Sequence, residues 1–314
     1  MTGLRPNGIR LPSAALFLIA LASLAALLWV GWRLGAPTQP DPSQVTARPA
    51  LWQATKGSAR LWLFGTIHAV PKGEPWLSPA IAKAADQSDR LFLEVTGLEA
   101  ERKDRAVFER LGRRKGLPPL LDRLSPADAE RYRALQRSHG GALDALDGYE
   151  SWAAALLINA AAASGLSLTS ADAGEAVLSR RFEGGSRPVL GLETIDEQLG
   201  LFDAMPEADQ IWLLSQSLAD TAQAPALYRS LHAAWASGDM ATLEREFITP
   251  FTQAPGLRAR LIDGRNDRWA QRLDNAMQAK PGMAFVAVGA GHLLGSRSLQ
   301  ARLEARGWQI ERVQ

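Results

Sequence analysis

The sequence predicts an α/β (α+β) protein in which a central mixed sheet, built from strands near both ends of the domain, is interrupted by a large helical insert. Apolar runs typical of buried strands lie near the front of the chain, at 60–64, and near its back, at 283–288. Helical patterns dominate the residues between them. The chain of 314 residues is long enough to bury a full core, and 46% of its residues are hydrophobic.

The amino-terminal segment, residues 1–34, predicts a short cytoplasmic tail and a single transmembrane helix. No charged residue lies between Arg10 and Arg33, and a helix of that length can cross the roughly 30 Å apolar core of a bilayer. Trp29 and Trp32 stand at the end of this run, where interfacial aromatic residues are enriched. Basic residues are more frequent before the run than directly after it, which predicts that the short tail is cytoplasmic and that the domain lies on the other side of the membrane. A cleaved signal peptide, which would give a secreted protein, is the alternative.

Residues 35–50 contain four prolines among small polar residues and predict a Pro-rich linker. The globular domain is predicted at 51–314. A net charge of only +2, without a block of lysines and arginines, argues against nucleic acid as a partner. The absence of cysteine excludes disulfides and thiolate chemistry.

Secondary-structure signals follow in order along the domain. Strands are predicted at 51–55, 60–64, 91–95, 188–193, 283–288 and 308–313, and helices at 76–88, 125–138, 149–163, 172–182 and 296–306, with further helices beginning at 207, 225, 240 and 257. The first two strands flank a hairpin-like turn at 56–59. Ser78 before Pro79 is typical of a helix start, and Thr194 predicts an N-cap after the strand at 188–193.

Two short segments share one pattern that predicts a functional site. In Leu61–His68 and again in Ala284–His292, an apolar run meets a glycine, and a histidine follows three positions later. Ligands in open α/β sheets tend to lie just outside the carboxyl ends of strands. Because both histidines follow such an end, we expect them to contribute to the same site. Each imidazole can bind a divalent metal or transfer a proton.

Glu94 is the third member expected at this site. It lies within the apolar strand predicted at 91–95, where a bare carboxylate is costly unless it is paired or bound to a metal. The alternative is a strand-edge glutamate that reaches solvent. Two histidines and a carboxylate form a common ligand set for Zn, Mn, Co or Fe that leaves positions open for water. The sequence therefore predicts a divalent metal ion held by His68, Glu94 and His292.

Other polar residues have two open interpretations each. Glu193 is either a second carboxylate of the site or a cap of the following helix. Arg265 either clamps an anionic group or pairs with a neighbouring acid. Glu175 lies either near the site or on a helix surface. His139 and His232 are expected to be structural. The sequence contains no Gly-x-Ser-x-Gly elbow, phosphate-binding glycine loop, dinucleotide fingerprint or His-Glu-x-x-His helix.

Several of these segments together resemble the TraB/GumN family over residues 51–313. The resemblance rests on the following segments, which occur in the expected order: 61–68, 75–78, 91–95, 191–198, 265–266, 286–292 and 307–313. This family is similar to the Tiki-type membrane-anchored metalloproteases, which use paired Gly-x-x-His motifs and acidic residues. One departure is Gly264, which stands where family members often carry an acid before the Arg-Asn pair. The role of that acid is therefore either absent or moved to Asp263.

The resemblance implies functional roles for His68, Glu94 and His292, with Glu193 and Arg265 as supporting residues. The resulting hypothesis is a membrane-anchored, metal-dependent hydrolase that cleaves peptide bonds in the periplasm. Glu94 would act as a metal ligand or as the general base toward metal-bound water. Either Arg265 or Asn266 would steady the substrate or its oxyanion.

The sequence is also compatible with two other functions. One is a non-catalytic protein that binds a peptide or a signalling molecule on the same scaffold. The other is a metal-independent hydrolase, resembling erythromycin-esterase-like proteins, in which one histidine is the general base.

Overall fold

A computed structural model describes residues 47–96, 100–139, 143–221 and 223–314. The transmembrane helix predicted within 1–34 and most of the linker predicted at 35–50 lie outside these residues. Within the described ranges, no helix is both long and apolar enough to cross a membrane.

A six-stranded mixed sheet forms the centre of the domain, as the sequence predicts. The strands of the described residues are β1 (Leu51–Lys56), β2 (Ala59–Thr66), β3 (Val70–Pro71), β4 (Arg90–Leu93), β5 (Leu168–Thr169), β6 (Val189–Gly191), β7 (Met283–Gly289) and β8 (Gln309–Arg312). The sheet order is β6-β4-β7-β2-β1-β8, and β3 and β5 pair separately. Strands β6, β4, β7 and β2 are parallel, whereas β1 is antiparallel to both β2 and β8.

The prediction that the sheet is built from terminal strands is incomplete. Strand β6 comes from within the helical insert, and together with β4 it extends the parallel half of the sheet beside β7. Glu94 was predicted inside a strand, but β4 ends at Leu93, so Glu94 is the first residue beyond its carboxyl end. Glu193 likewise lies beyond the end of β6.

Helices fill most of the insert and cover both faces of the sheet. They are α1 (Pro79–Asp86), α2 (Ala100–Gly112), α3 (Pro126–His139), α4 (Ser151–Ser164), α5 (Gly174–Gly184), α6 (Ile195–Asp203), α7 (Glu207–Asp220), α8 (Ala224–Ser237), α9 (Met240–Leu243), α10 (Pro255–Arg258), α11 (Gly264–Ala279) and α12 (Leu299–Glu304). Ser78 caps α1 by accepting a hydrogen bond from the Ile81 amide. Thr194 caps α6 in a reciprocal capping box with Glu197.

The helices predicted to begin at 240 and 257 are both present, and each contains a π-helical turn. The first run is α9 followed by Glu244–Ile248, and the second is α10, Ala259–Asp263 and α11 in direct succession. A 3₁₀ turn, Thr249–Gln253, lies between the two runs. Pro250 and Pro255 each lack a backbone N–H, so a regular helix cannot continue through them.

Alternate residues of the central strands face the two helical layers. Leu63 of β2 belongs to a cluster with Trp269 of α11. Phe64, its neighbour, faces the opposite layer, where its ring stacks on that of Trp76 with centroids 5.5 Å apart. A short connection joins the end of α11 to the start of β7. The first residues of α11 therefore return to the carboxyl edge of the sheet, where Glu94 and both histidine segments lie.

Candidate functional site

The two Gly-x-x-His segments leave the sheet side by side. Strands β2 and β7 are parallel neighbours, and Gly65 lies opposite Val288 while Thr66 lies opposite Gly289. The second motif is therefore offset from the first by one residue along the strand direction. The start of the second motif passes close to the backbone of Gly65. A Cβ added to Gly65 would lie only 3.0 Å from the Cα of Ala290, so glycine permits this approach. The expectation that both histidines reach one edge of the sheet agrees with this register.

The principal side chains predicted for the site lie together and are buried. Their exposed fractions are 8% for His68, 6% for Glu94, 5% for Glu193, 6% for Arg265 and 4% for His292. They come from the ends of four parallel strands and from the first turn of α11. The sheet order, rather than proximity in sequence, brings them into contact.

Arg265 is the hub of this cluster. Its Nη2 donates to Glu94 Oε2 at 2.6 Å and to Glu193 Oε1 at 2.5 Å, and its Nε donates to Glu193 Oε2 at 3.2 Å. Its Nη1 lies 3.3 Å from the Leu261 carbonyl oxygen and 3.2 Å from His292 Nε2. The guanidinium donors are thus engaged within the protein. Of the two interpretations of Arg265, pairing with acids is the one observed.

The two carboxylates respond differently to this environment. Burial alone would raise the pKa of Glu94, but Arg265, the two site histidines and the Gly289 amide lower that pKa to about 2. Glu94 is therefore charged at neutral pH. Burial raises the pKa of Glu193 in spite of the opposing effect of Arg265. Glu193 also accepts a hydrogen bond from the Trp269 indole at 3.2 Å, so it belongs to the site and leaves capping to Thr194.

His292 is held in one proton state by its neighbours. Arginine can only donate, so His292 Nε2 must accept from Arg265 and the ring proton must sit on Nδ1. Nδ1 lies 2.7 Å from Asn266 Oδ1, which accepts that proton. Burial, followed by the charge of Arg265, lowers the pKa of His292 to about 3. The ring is therefore neutral at physiological pH.

Asn266 is fully buried, and both ends of its amide are bonded within the protein. Its Nδ2 donates to the His292 carbonyl oxygen at 3.2 Å and to the Arg297 carbonyl oxygen at 2.9 Å. These two carbonyls turn the amide so that Oδ1 faces the ring of His292. Asn266, predicted as a residue that binds substrate, holds the second histidine segment in place.

His68 has a different arrangement. Its Nδ1 lies 2.8 Å from Glu175 Oε1, the same oxygen to which the Thr66 hydroxyl donates. Its Nε2 is buried and has no hydrogen-bond partner among the described residues. Burial would lower the pKa of His68, but the carboxylates of Glu175 and Glu94 raise it overall.

Gly289 provides a recess that both His68 and Glu94 face. Its amide donates to Glu94 Oε1 at 2.7 Å. A Cβ added to Gly289 would lie 3.1 Å from that oxygen and 3.2 Å from His68 Nε2. His292 Nε2 lies 3.8 Å from the same carboxylate oxygen. The carboxylate and the bare nitrogen of His68 therefore border one small space beside the backbone.

This recess predicts the effect of Gly289→Ala. The backbone at Gly289 has φ of −50°, which alanine adopts without strain, so we expect the fold to persist. The methyl group would enter the space between His68 Nε2 and Glu94 Oε1 and exclude a water or metal ion from it. On the hydrolase hypothesis drawn from the sequence, we expect kcat/KM on a peptide substrate to fall by about 100-fold or more.

Gly200→Ala is the matched control for that substitution. A Cβ at Gly200, within α6, meets nothing within 4 Å. Alanine there should leave activity unchanged and stabilise the helix by about 0.5–1 kcal/mol. Equal activity of the two variants would show that the recess at Gly289 has no function.

The donor set of this cluster differs in spacing from that of an assembled metal site. Among the described residues, no group of three or more histidine, aspartate or glutamate side chains is spaced to hold a metal ion. His292 Nε2 faces Arg265 Nη1 at 3.2 Å and lies 3.8 Å from Glu94 Oε1. The chemistry of the remaining donors does fit a divalent ion, since His68 Nε2 is buried without a partner and faces the space bordered by Glu94 Oε1. Both rings are oriented through Nδ1, as in known metal-ligating histidines.

The remaining candidates lie apart from this cluster. Asp263 is buried, but its carboxylate faces Arg258 Nε at 3.4 Å and Arg297 Nε at 3.1 Å. It therefore does not supply the acid that Gly264 lacks at the site. His139 ends α3 with its Nδ1 3.2 Å from the Leu135 carbonyl oxygen.

His232 is likewise outside the site. Its ring stacks on Tyr228 at a centroid distance of 5.6 Å, and its Nε2 lies 3.6 Å from Glu74 Oε1. These contacts agree with the structural role expected of this histidine.

Three residues that sequence reasoning did not assign complete the cluster. Gln198 Nε2 donates to Glu94 Oε2 at 3.2 Å, and Thr66 and Trp269 bond to Glu175 and Glu193. Gln198 lies in the 191–198 segment that carries the resemblance, and that was a usable signal. Thr66 lies in the 61–68 segment, which carries the same kind of signal, whereas nothing in the local sequence around Trp269 indicates a contact with the site.

Comparisons with known proteins bear on the family of this chain. A protein of Treponema pallidum (strain Nichols) described as uncharacterized is 24% identical over 277 residues, which cover 82% of this chain and 81% of that protein. No solved structure matches the chain. The TraB/PrgY/gumN family matches residues 50–312, a range that contains both histidine segments and the acids between them. The chain belongs to the TraB/PrgY/gumN family.

Proposed function

We propose that this protein is a metal-dependent hydrolase that cleaves peptide bonds at the cluster of His68, Glu94 and His292. The single observation that carries this proposal is the space beside Gly289, bordered by the partnerless His68 Nε2 and by Glu94 Oε1. A buried imidazole nitrogen without a partner costs free energy unless a ligand occupies it. The choice of peptide bonds rests on the resemblance to Tiki-type proteases.

The residues have separate roles in this proposal. His68 Nε2 and Glu94 Oε1 would hold a divalent ion such as Mn, Co or Zn, and His292 Nε2 would join them by exchanging its contact with Arg265. Such an ion supplies a water of lowered pKa and polarises a carbonyl group. Arg265 keeps Glu94 charged. Burial of the cluster surrounds the reacting groups with low dielectric, which strengthens their electrostatic effects.

A metal-independent hydrolase is the second candidate, and one contact favours it. The 2.8 Å contact between His68 Nδ1 and Glu175 Oε1 resembles the pairing that orients a histidine general base. In this case His68 Nε2 would take a proton directly from the attacking water. Glu193 and Asn266 would support the site in either case.

The experiment uses the purified full chain. Bound metal is measured by mass spectrometry, and hydrolysis of a mixed peptide library is followed with and without a chelator. We expect about one divalent ion per chain, loss of cleavage on chelation, and recovery on adding back Mn, Co or Zn. Cleavage that survives chelation and is lost in His68→Gln would favour the second candidate. A metal-free protein that cleaves no peptide would overturn both and favour a binding protein.

We also propose that the apolar segment within 1–34 anchors the protein in the bacterial inner membrane, with the domain in the periplasm. The uncharged run and its flanking charges support this location. Membrane fractionation with alkaline washing and determination of the first residue of the mature chain test it. A soluble periplasmic protein that begins after residue 34 would show instead that the segment is a cleaved signal peptide.

A further inference from the structure

We propose that Glu175 is a positioning residue that fixes the ring proton of His68 on Nδ1 and leaves Nε2 bare toward Glu94. The consequence for catalysis rests on the proposed function, whereas the proton position does not. The contacts of Glu175 described here are with the His68 ring and the Thr66 hydroxyl, rather than with the recess at Gly289. Glu175 would act through His68.

The donor and acceptor chemistry of the contact supports this assignment. An ionised carboxylate only accepts hydrogen bonds, so the 2.8 Å contact between Glu175 Oε1 and His68 Nδ1 requires a proton on Nδ1. The Thr66 hydroxyl donates to the same oxygen. Two donors thus hold that oxygen in place. Since a neutral imidazole carries one proton, His68 Nε2 then has a free lone pair.

The fold places Glu175 at this point through a close approach of α5 to β2. Gly174, the first residue of α5, packs on the end of β2 so tightly that an added Cβ would lie 2.6 Å from Thr66 Cγ2. Glycine at 174 therefore allows the first turn of α5 to bring Glu175 over His68. A negative charge is also favoured in the first turn of a helix by the helix dipole.

His68 depends on Glu175 more strongly than His292 depends on any single neighbour. Glu175 supplies the only hydrogen bond that His68 makes through its ring among the described residues. His292 is fixed from both sides, by Arg265 at Nε2 and by Asn266 at Nδ1. Removing the carboxylate of Glu175 leaves His68 free to carry its proton on Nε2, which faces the negative charge of Glu94. The proton position of His292 therefore serves as an internal reference when Glu175 is replaced.

The test is the proton position of His68 in the full chain, labelled with ¹⁵N in its histidines. Long-range ¹H–¹⁵N NMR spectra distinguish protonated from bare ring nitrogens, and His68→Gln assigns the signal among the four histidines of the chain. The spectra are recorded at a pH where the ring is neutral. The variants are Glu175→Gln, which keeps an acceptor oxygen, and Glu175→Leu, which removes it.

We expect the proton on Nδ1 in the parent and in Glu175→Gln, and a shift toward Nε2 in Glu175→Leu. The His292 signal should be unchanged in all three, which shows that the fold of the site persists. A parent protein with its proton on Nε2 overturns the proposal, and so does a Glu175→Leu variant that keeps it on Nδ1. The parent measurement decides the matter even if the leucine variant does not fold.

A second readout joins this inference to the proposed function. Titration with Zn²⁺ should show affinity reduced about 10–100-fold in Glu175→Leu and much less in Glu175→Gln. Equal affinity of the two variants would contradict a positioning role toward a metal. If the parent itself binds no Zn²⁺, the proposed function fails, and the NMR result still decides the proton position of His68.

Discussion

Replacing Arg265 by methionine is expected to destabilise the protein by about 3–5 kcal/mol at neutral pH. The substitution leaves Glu94 and Glu193 buried, close together and without their shared cation. Methionine fills a similar volume, so the loss should arise from the unpaired charges rather than from a cavity. Chemical denaturation followed by tryptophan fluorescence measures the free energy of unfolding.

The same substitution has a defined pH dependence. In the parent, the pKa of Glu94 is lowered to about 2 from its ordinary value of 4.5. A lowered pKa stabilises the folded state above the ordinary value, and that stabilisation is lost as the pH falls from about 4.5 toward 2. The difference in stability between parent and Arg265→Met should therefore be largest above pH 5 and should shrink in acid.

Arg272→Met is the matched control in the same helix. Arg272 also pairs with a glutamate, Glu197, at 2.6 Å, but the side chains are 42% and 43% exposed. Exposed ion pairs contribute about 0–1 kcal/mol. Arg272 also donates to the Leu192 carbonyl oxygen, so a cost near the upper end of that range is expected. Equal costs for the two arginines would refute the view that Arg265 neutralises a buried acidic pair.

Under the proposed function, replacing His68 by glutamine is expected to reduce peptide hydrolysis by about 10²–10⁴-fold while leaving the fold intact. Glutamine can still bond to Glu175, but it cannot present an imidazole nitrogen beside Glu94. The loss should appear mainly in kcat if His68 acts on the attacking water. Steady-state kinetics on the best peptide from the library provide the measurement.

His232→Gln provides the comparison for His68→Gln. His232 packs on Tyr228 in α8, outside the site. We expect its replacement to change kcat/KM by less than about twofold, with at most a modest loss of stability. A His68→Gln variant as active as His232→Gln would remove His68 from the proposed mechanism.

Much of the fold and the location of the site could be predicted from the sequence. The apolar runs of β2 and β7 are long and clear, and each ends in a glycine three positions before a histidine. Parallel strands in one sheet end at the same edge, so the convergence of His68 and His292 follows from local pattern and general sheet geometry. Glu94 is predicted at the site because a bare carboxylate within an apolar strand is costly unless it is paired or bound to a metal.

Other parts of the site depend on contacts that no local pattern encodes. Arg265 bonds to Glu94, which lies 171 positions earlier in the chain, and both interpretations of this arginine remained open until the contact was known. Glu175 reaches His68 only because Gly174 packs on Thr66. The positions of β4 and β6 in the sheet are also absent from the local pattern, because the order of strands depends on tertiary packing rather than on hydrophobic periodicity.

A double-mutant cycle tests most directly whether the two Gly-x-x-His segments form one site. Hydrolysis is measured for His68→Gln, His292→Gln and the double variant. Residues that act as a unit are strongly non-additive, so the double variant should retain the same residual rate as either single variant. Losses that multiply in the double variant would show that the two histidines act independently.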